Sequence, residues 1–75
     1  MEVYKNLGGS SGVSSYEIGD DNIIVEFSDG ARYLYNYISP GRMDVEKMKA
    51  LAVSGRGLNS FISRVIRKRF ADRLR

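Results

Sequence analysis

The 75-residue chain contains no cysteine and no histidine, and it has a single proline. Without cysteine it can form no disulfide and no thiol nucleophile, and without histidine it has no imidazole acid or base. No stretch approaches the roughly 20 apolar residues that a membrane span requires, and residues 1–6 lack the basic-then-apolar order of a signal peptide. We therefore expect a cytoplasmic protein with no membrane span, no metal and no cofactor.

The size of the chain also bears on its function. At 8.4 kDa, with 43% hydrophobic and 28% charged residues, it has the composition of one small globular domain. A core of this size supplies a stability of roughly 4–11 kcal/mol, which leaves little to hold a strained catalytic pocket. We expect a binding protein rather than an enzyme, with one domain over residues 1–75 and its core over about residues 13–66.

Charge is distributed unevenly along the chain. Residues 1–55 hold five basic and eight acidic side chains, a net charge of −3, whereas residues 56–75 hold seven basic and one acidic, a net charge of +6. A basic segment of this kind attracts phosphate backbones, anionic lipid or an acidic protein surface. The alternative is that these cations form only a solvated helix face and a solubilising tail.

The first half of the chain favours an antiparallel β-meander. Residues 13–18, 23–27 and 31–38 are rich in β-branched and aromatic side chains, and turns at residues 19–22 and 28–30 separate them. A further short strand around Val3 and Tyr4 would make four strands, with a turn of small residues at 8–12 following it.

The register of the second hairpin follows from its side-chain pattern. A two-residue loop at Asp29 and Gly30 would place Phe27 opposite Arg32, which mixes apolar and charged residues on one face. A three-residue loop separates them, with Gly30 in a left-handed conformation. It pairs Phe27 with Ala31, Val25 with Tyr33, Ile23 with Tyr35, Ile24 with Leu34 and Glu26 with Arg32. We predict this second register.

The second half favours two helices packed on one face of the sheet. The first is predicted over residues 44–53, with Asp44 as its N-cap and a stop at residues 55–57. Its inward-facing residues are Val45, Met48, Leu51 and Ala52. The second helix, capped by Asn59 or Ser60, runs toward the C-terminus. Its apolar stripe comprises Leu58, Phe61, Ile62, Val65 and Ile66. The fold class is therefore α+β.

Two arginines interrupt the stripe of the second helix. Arg69 and Arg73 project into it, and unpaired guanidinium groups cannot enter a small core. We expect the helix to leave the core near Arg67, so that residues 67–75 form a basic helical extension. Phe70 and Leu74 would then be exposed unless a partner covers them.

Three tyrosines alternate along the last predicted strand, at Tyr33, Tyr35 and Tyr37. They could form a stacking platform of the kind that readers of single-stranded RNA use. They could instead pack beneath the two helices, and we favour this because Ile23 and Val25 share their face. Tyr37 is the tyrosine that we expect to reach solvent.

The order of these segments resembles a known family. A strand ends at Ile18, and the motifs Ile23-x-Val25-x-Phe27, Gly30, Tyr33-x-Tyr35, Pro40, Gly55-x-x-Leu58-Asn59 and Ile62 follow. Over roughly residues 13–66 this order resembles the KTSC domain, a small module at the C-terminus of some lysyl-tRNA synthetases that also occurs alone in bacteria and their viruses. The resemblance transfers no catalytic residue, and by analogy it favours contact with RNA.

Two functional hypotheses remain. In the first, the chain is a non-catalytic module that weakly binds RNA or another polyanion through the basic C-terminal helix. The candidate residues are Arg56, Arg64, Arg67, Lys68, Arg69 and Arg73. In the second, the same helix binds a protein partner or a second copy of the chain. That interaction would use Phe70, Leu74 and Tyr37.

Overall fold

The computed structural model describes residues 1–9 and 12–75, and antiparallel strands form a five-stranded sheet in chain order. The strands are β1 (Glu2–Val3), β2 (Val13–Ile18), β3 (Asn22–Phe27), β4 (Arg32–Asn36) and β5 (Asp72–Arg73). With helices on one face, this confirms the predicted α+β meander and adds a strand at its end. Part of the predicted turn at 8–12, Ser10 and Ser11, lies outside the described residues.

The β3–β4 hairpin has the predicted three-residue loop. Ile23 pairs with Tyr35, Val25 with Tyr33 and Glu26 with Arg32. The backbone nitrogen of Phe27 donates to the Ala31 carbonyl at 2.8 Å, and Gly30 adopts a φ of 92°. Glu26 and Arg32 form an ion pair on the outer face, so the register puts the aromatic and charged residues on opposite faces.

The helices begin earlier than predicted. Helix α1 spans Arg42–Ser54, and α2 spans Leu58–Phe61 and continues as a π-helical turn over Ile62–Ile66. Asp44 is not an N-cap, because α1 starts after Gly41 with no side-chain cap. The caps predicted at Asn59 and Ser60 are also wrong, since α2 starts at Leu58. No helix in the described residues is long and apolar enough to cross a membrane.

One hydrophobic core joins the helices to the inner face of the sheet. From the sheet side it includes Tyr4, Val13, Ile23, Val25 and Tyr35, and from the helices Val45, Met48, Ala52, Leu58, Ile62 and Ile66. The residues predicted to face inward from α1 do so, with Leu51 partly buried. Val65 is 45% exposed, because the π-helical turn departs from the α-helical periodicity. Tyr4 extends the core beyond the predicted residues 13–66.

The basic helical extension predicted over residues 67–75 does not form. The backbone turns at Arg67, where φ is 55° and ψ is −117°, and the chain then runs along the free edge of β4. The backbone nitrogens of Ala71 and Leu74 donate to the carbonyls of Leu34 and Arg32, both at 2.7 Å. This pairing satisfies backbone groups along the edge of β4, which would face solvent if residues 67–75 were helical. We call residues 67–75 the C-terminal strap.

Candidate nucleic-acid interface

All six basic residues that the sequence nominated for nucleic-acid binding are exposed. Arg56 lies in the turn between α1 and α2, and Arg64 lies in the π-helical turn. Three more, Arg67, Lys68 and Arg69, follow at the start of the strap, while Arg73 lies in β5. Five of them thus lie along one continuous segment, residues 64–73, and Arg56 lies just before the N-terminus of α2.

Five of these cations form no ion pair with a carboxylate side chain within the described residues: Arg56, Arg64, Arg67, Lys68 and Arg73. Three of them, Arg64, Arg67 and Lys68, lie close together in the chain, within residues 64–68. Neighbouring exposed cations repel one another, and an anionic ligand relieves this repulsion. Arg64, Arg67 and Lys68 are therefore a candidate site for phosphate groups.

Arg69 is anchored within the fold. Its Nη2 atom lies 3.2 Å from Oδ2 of Asp44 and donates to the Val65 carbonyl at 2.8 Å. The Ser39 hydroxyl donates to the Arg69 carbonyl at 2.9 Å. The ion pair is partly exposed and contributes about 0.2–1 kcal/mol, so its main effect is to hold the start of the strap against α1. Asp44, which lies in the first turn of α1, is thus the partner of the strap rather than a cap.

Phe70 and Arg73 both contact Tyr33. The Phe70 and Tyr33 ring centroids are 4.7 Å apart, and Phe70 is half-buried against its own chain rather than exposed as expected. The Arg73 guanidinium carbon lies 5.5 Å from the Tyr33 centroid, a cation–π contact. Leu74 is 46% exposed. Phe70 and Arg73 of the strap therefore both pack against Tyr33 of β4.

Tyr37 belongs to a polar cluster that the sequence reasoning missed. Its hydroxyl lies 2.7 Å from Oε2 of Glu46 and 3.2 Å from the Asp20 carbonyl oxygen, and Lys49 Nζ donates to the same two groups, each at 2.8 Å. Arg42 lies 5.6 Å from the Tyr37 centroid. The cluster ties α1 to the β2–β3 turn, so the Tyr37 hydroxyl already has partners in its own chain. The i,i+3 spacing of Glu46 and Lys49 was the one sequence signal for it.

The cluster shifts the pKa values of its members. Hydrogen bonds from Lys49 and then from Tyr37 hold the pKa of the Glu46 carboxyl below its usual value. The same carboxylate raises the pKa of the Tyr37 hydroxyl and of the Lys49 ammonium. Glu46 is exposed, and Tyr37 and Lys49 are half-buried beside it, so the cluster holds α1 against the β2–β3 turn.

The described residues contain no group of three carboxylates or other ligands able to hold a metal ion. Comparison with protein-family models, with curated proteins and with solved structures found no match to this chain. The functional argument therefore depends on the exposed cations of residues 56–75 and on the aromatic residues beside them.

Proposed function

We propose that this protein is a non-catalytic module that binds RNA weakly through phosphate contacts made by Arg64, Arg67 and Lys68. The observation that carries the proposal is the segment 56–75, which has a net charge of +6 and in which Arg69 alone pairs with a carboxylate side chain among the described residues. The π-helical turn holds the backbone of Arg64, and the start of the strap holds the backbones of Arg67 and Lys68, so little backbone entropy is lost when a polyanion binds.

Phosphate contacts of this kind bind without reading sequence. Each cation that neutralises a phosphate releases a condensed counterion, so affinity falls steeply with salt. The resemblance to the KTSC domain, which follows some lysyl-tRNA synthetases, is the reason for proposing RNA before DNA. In the alternative, interaction with a protein partner or a second copy, the contact would be made by the strap, because residues 67–75 form no projecting helix.

A salt series tests the proposal. Fluorescence anisotropy of a labelled single-stranded RNA should show a binding constant that falls linearly on a double-logarithmic plot, with a slope of about −2 for three contacts. Arg64→Gln and Lys68→Gln should each weaken binding and flatten that slope by about 0.7. Lys47→Gln is the matched control, because Lys47 is an exposed cation on α1.

Two results would contradict the proposal. One is the absence of RNA binding by the unmodified protein even at low salt. The other is an Arg64→Gln/Lys68→Gln double variant that binds as tightly, and with the same slope, as the Lys47→Gln control. All three side chains are exposed, so each variant should keep the fold, and circular dichroism checks this.

A further inference from the structure

A groove of about 420 Å³ lies at the tip of the β3–β4 hairpin. Its lining residues are Gly12, Phe27, Ser28, Asp29, Ala31 and Tyr33. The helices bury Ile23, Val25 and Tyr35 on this face of the sheet, but they leave Phe27 and Tyr33 half-buried. Part of each aromatic ring is therefore accessible from outside.

The aromatic wall of the groove is held in place by the strap. Phe27 and Tyr33 pack edge to face, with centroids 5.8 Å apart and an interplanar angle of 75°. Phe70 supports Tyr33 from the strap, at 4.7 Å. A braced aromatic wall loses little side-chain entropy when a flat ligand packs against it.

Positive charge adjoins the groove. Strand β5 places Arg73 directly opposite Tyr33, and the backbone of Arg75 hydrogen-bonds with that of Arg32 at the same end of the sheet. The guanidinium of Arg73 has no acidic side-chain partner among the described residues. The Nε atom of Arg73 donates to the backbone oxygen of Arg75 at 3.2 Å. An apolar groove beside a guanidinium that pairs with no acidic side chain matches a ligand that joins flat aromatic rings to anions, which is the chemistry of a nucleotide chain.

We propose that this groove accepts an unpaired base of single-stranded RNA, which stacks on Phe27 while Arg73 contacts a neighbouring phosphate. The inference rests on the proposed function and adds to it a site for the base. The Asp29 carboxylate accepts the Ala31 N–H at 3.0 Å within the turn, and its charge directs the phosphate to the side of Arg73. A duplex is excluded from the groove because its bases remain stacked on one another.

The test separates base contacts from phosphate contacts. A uridine oligomer and an abasic oligomer of equal length carry the same charge, and the unmodified protein should bind the uridine oligomer about 10-fold more tightly. Phe27→Leu should abolish that difference and leave the salt slope unchanged, because it removes no cation. Phe61→Leu is the matched control, since Phe61 is also half-buried but does not line the groove.

Aromatic NMR signals give a second readout that does not depend on a variant. The ring protons of Phe27 should shift on addition of the uridine oligomer and stay in place with the abasic one. Equal binding of the two oligomers overturns the stacking site alone, whereas no binding of either overturns the proposed function with it. A dimer that Phe27→Leu dissociates in sedimentation would make the groove an interface between copies and would also overturn the stacking site.

Discussion

The Tyr4 hydroxyl joins the two ends of the fold through one hydrogen bond. It lies 3.2 Å from the backbone nitrogen of Leu58, the first residue of α2, and both residues are buried. The first N–H groups of a helix have no partner inside the helix. The phenol of Tyr4, the residue that follows β1, thus supplies the cap for which the sequence offered Asn59 or Ser60.

Removing this hydroxyl should weaken the fold. Tyr4→Phe leaves the ring in the core and strands the Leu58 N–H, so the free energy of unfolding should fall by about 1–2 kcal/mol. Urea denaturation measures the change. Tyr16→Phe is the control, because the Tyr16 hydroxyl makes no hydrogen bond to the described residues. Equal stability of the two variants would show that Tyr4 acts only through its packing.

At the scale of elements, the C-terminal strap shows how a sheet edge competes with a helix. The π-helical turn over Ile62–Ile66 widens the last turn, and Arg67 then redirects the chain toward β4. Backbone hydrogen bonds, the Phe70–Tyr33 contact and the Asp44–Arg69 ion pair hold the strap in place. The strap therefore covers an edge that would otherwise be open to pairing with another chain.

Phe70→Ala should loosen the strap without unfolding the sheet. The loss of a half-buried ring removes about 1–2 kcal/mol of apolar burial. Amide hydrogen exchange at Ala71 and Leu74, which bond β4, should become about 10-fold faster, while amides of β3 keep their protection. Val53→Ala, which shortens a side chain that is 60% exposed, is the control. Uniform acceleration across the whole sheet would instead place Phe70 in the global core.

The whole molecule combines an acidic body with a basic segment inside an envelope of 30 × 23 × 22 Å. Its net charges of −3 over residues 1–55 and +6 over residues 56–75 make it electrically dipolar. Such a field orients an approaching polyanion at low salt, and it weakens as the Debye length shortens. The core that supports this surface contains aromatic as well as aliphatic residues, and Tyr35, 1% exposed, lies within it.

Burial of Tyr35 should lower the free energy of unfolding as the pH becomes alkaline. Burial disfavours the phenolate and raises the pKa of Tyr35 to about 12, above its ordinary value of 10. The unfolded chain loses this proton first, so the stabilisation is complete below about pH 10 and declines between about pH 10 and 12. The raised pKa values of Tyr37 and Lys49, both due to Glu46, act in the same direction.

Tyr35→Phe tests this dependence. The variant should lose a smaller part of its unfolding free energy than the unmodified protein between pH 9 and about pH 12, and a residual loss should remain from Tyr37 and Lys49. Denaturation at a series of pH values measures both curves. Parallel curves for the two proteins would mean that Tyr35 ionises equally in the folded and unfolded states.

Local patterns in the sequence were sufficient to predict the β3–β4 register and the inward face of α1. They also showed that the chain has an acidic part, residues 1–55, and a basic part, residues 56–75. Alternation with period two and a glycine at residue 30 define that register, and helical spacing places Val45 and Met48 in the core. These features depend on residues close together in the chain. The alternating tyrosines were read correctly for Tyr35, which packs in the core, because its neighbours across the hairpin are apolar.

Only the tertiary structure decided how the C-terminal residues fold. Helical periodicity in residues 58–75 was a real local signal, but the helix ends at Ile66 and the chain turns at Arg67. Phe70 then packs on Tyr33, and β5 pairs with the edge of β4. The partners of Asp44 and of the Leu58 N–H were hidden for the same reason, since Arg69 and Tyr4 are distant in sequence. Contacts between distant segments outweighed local preference, and they placed Arg73 beside Tyr33.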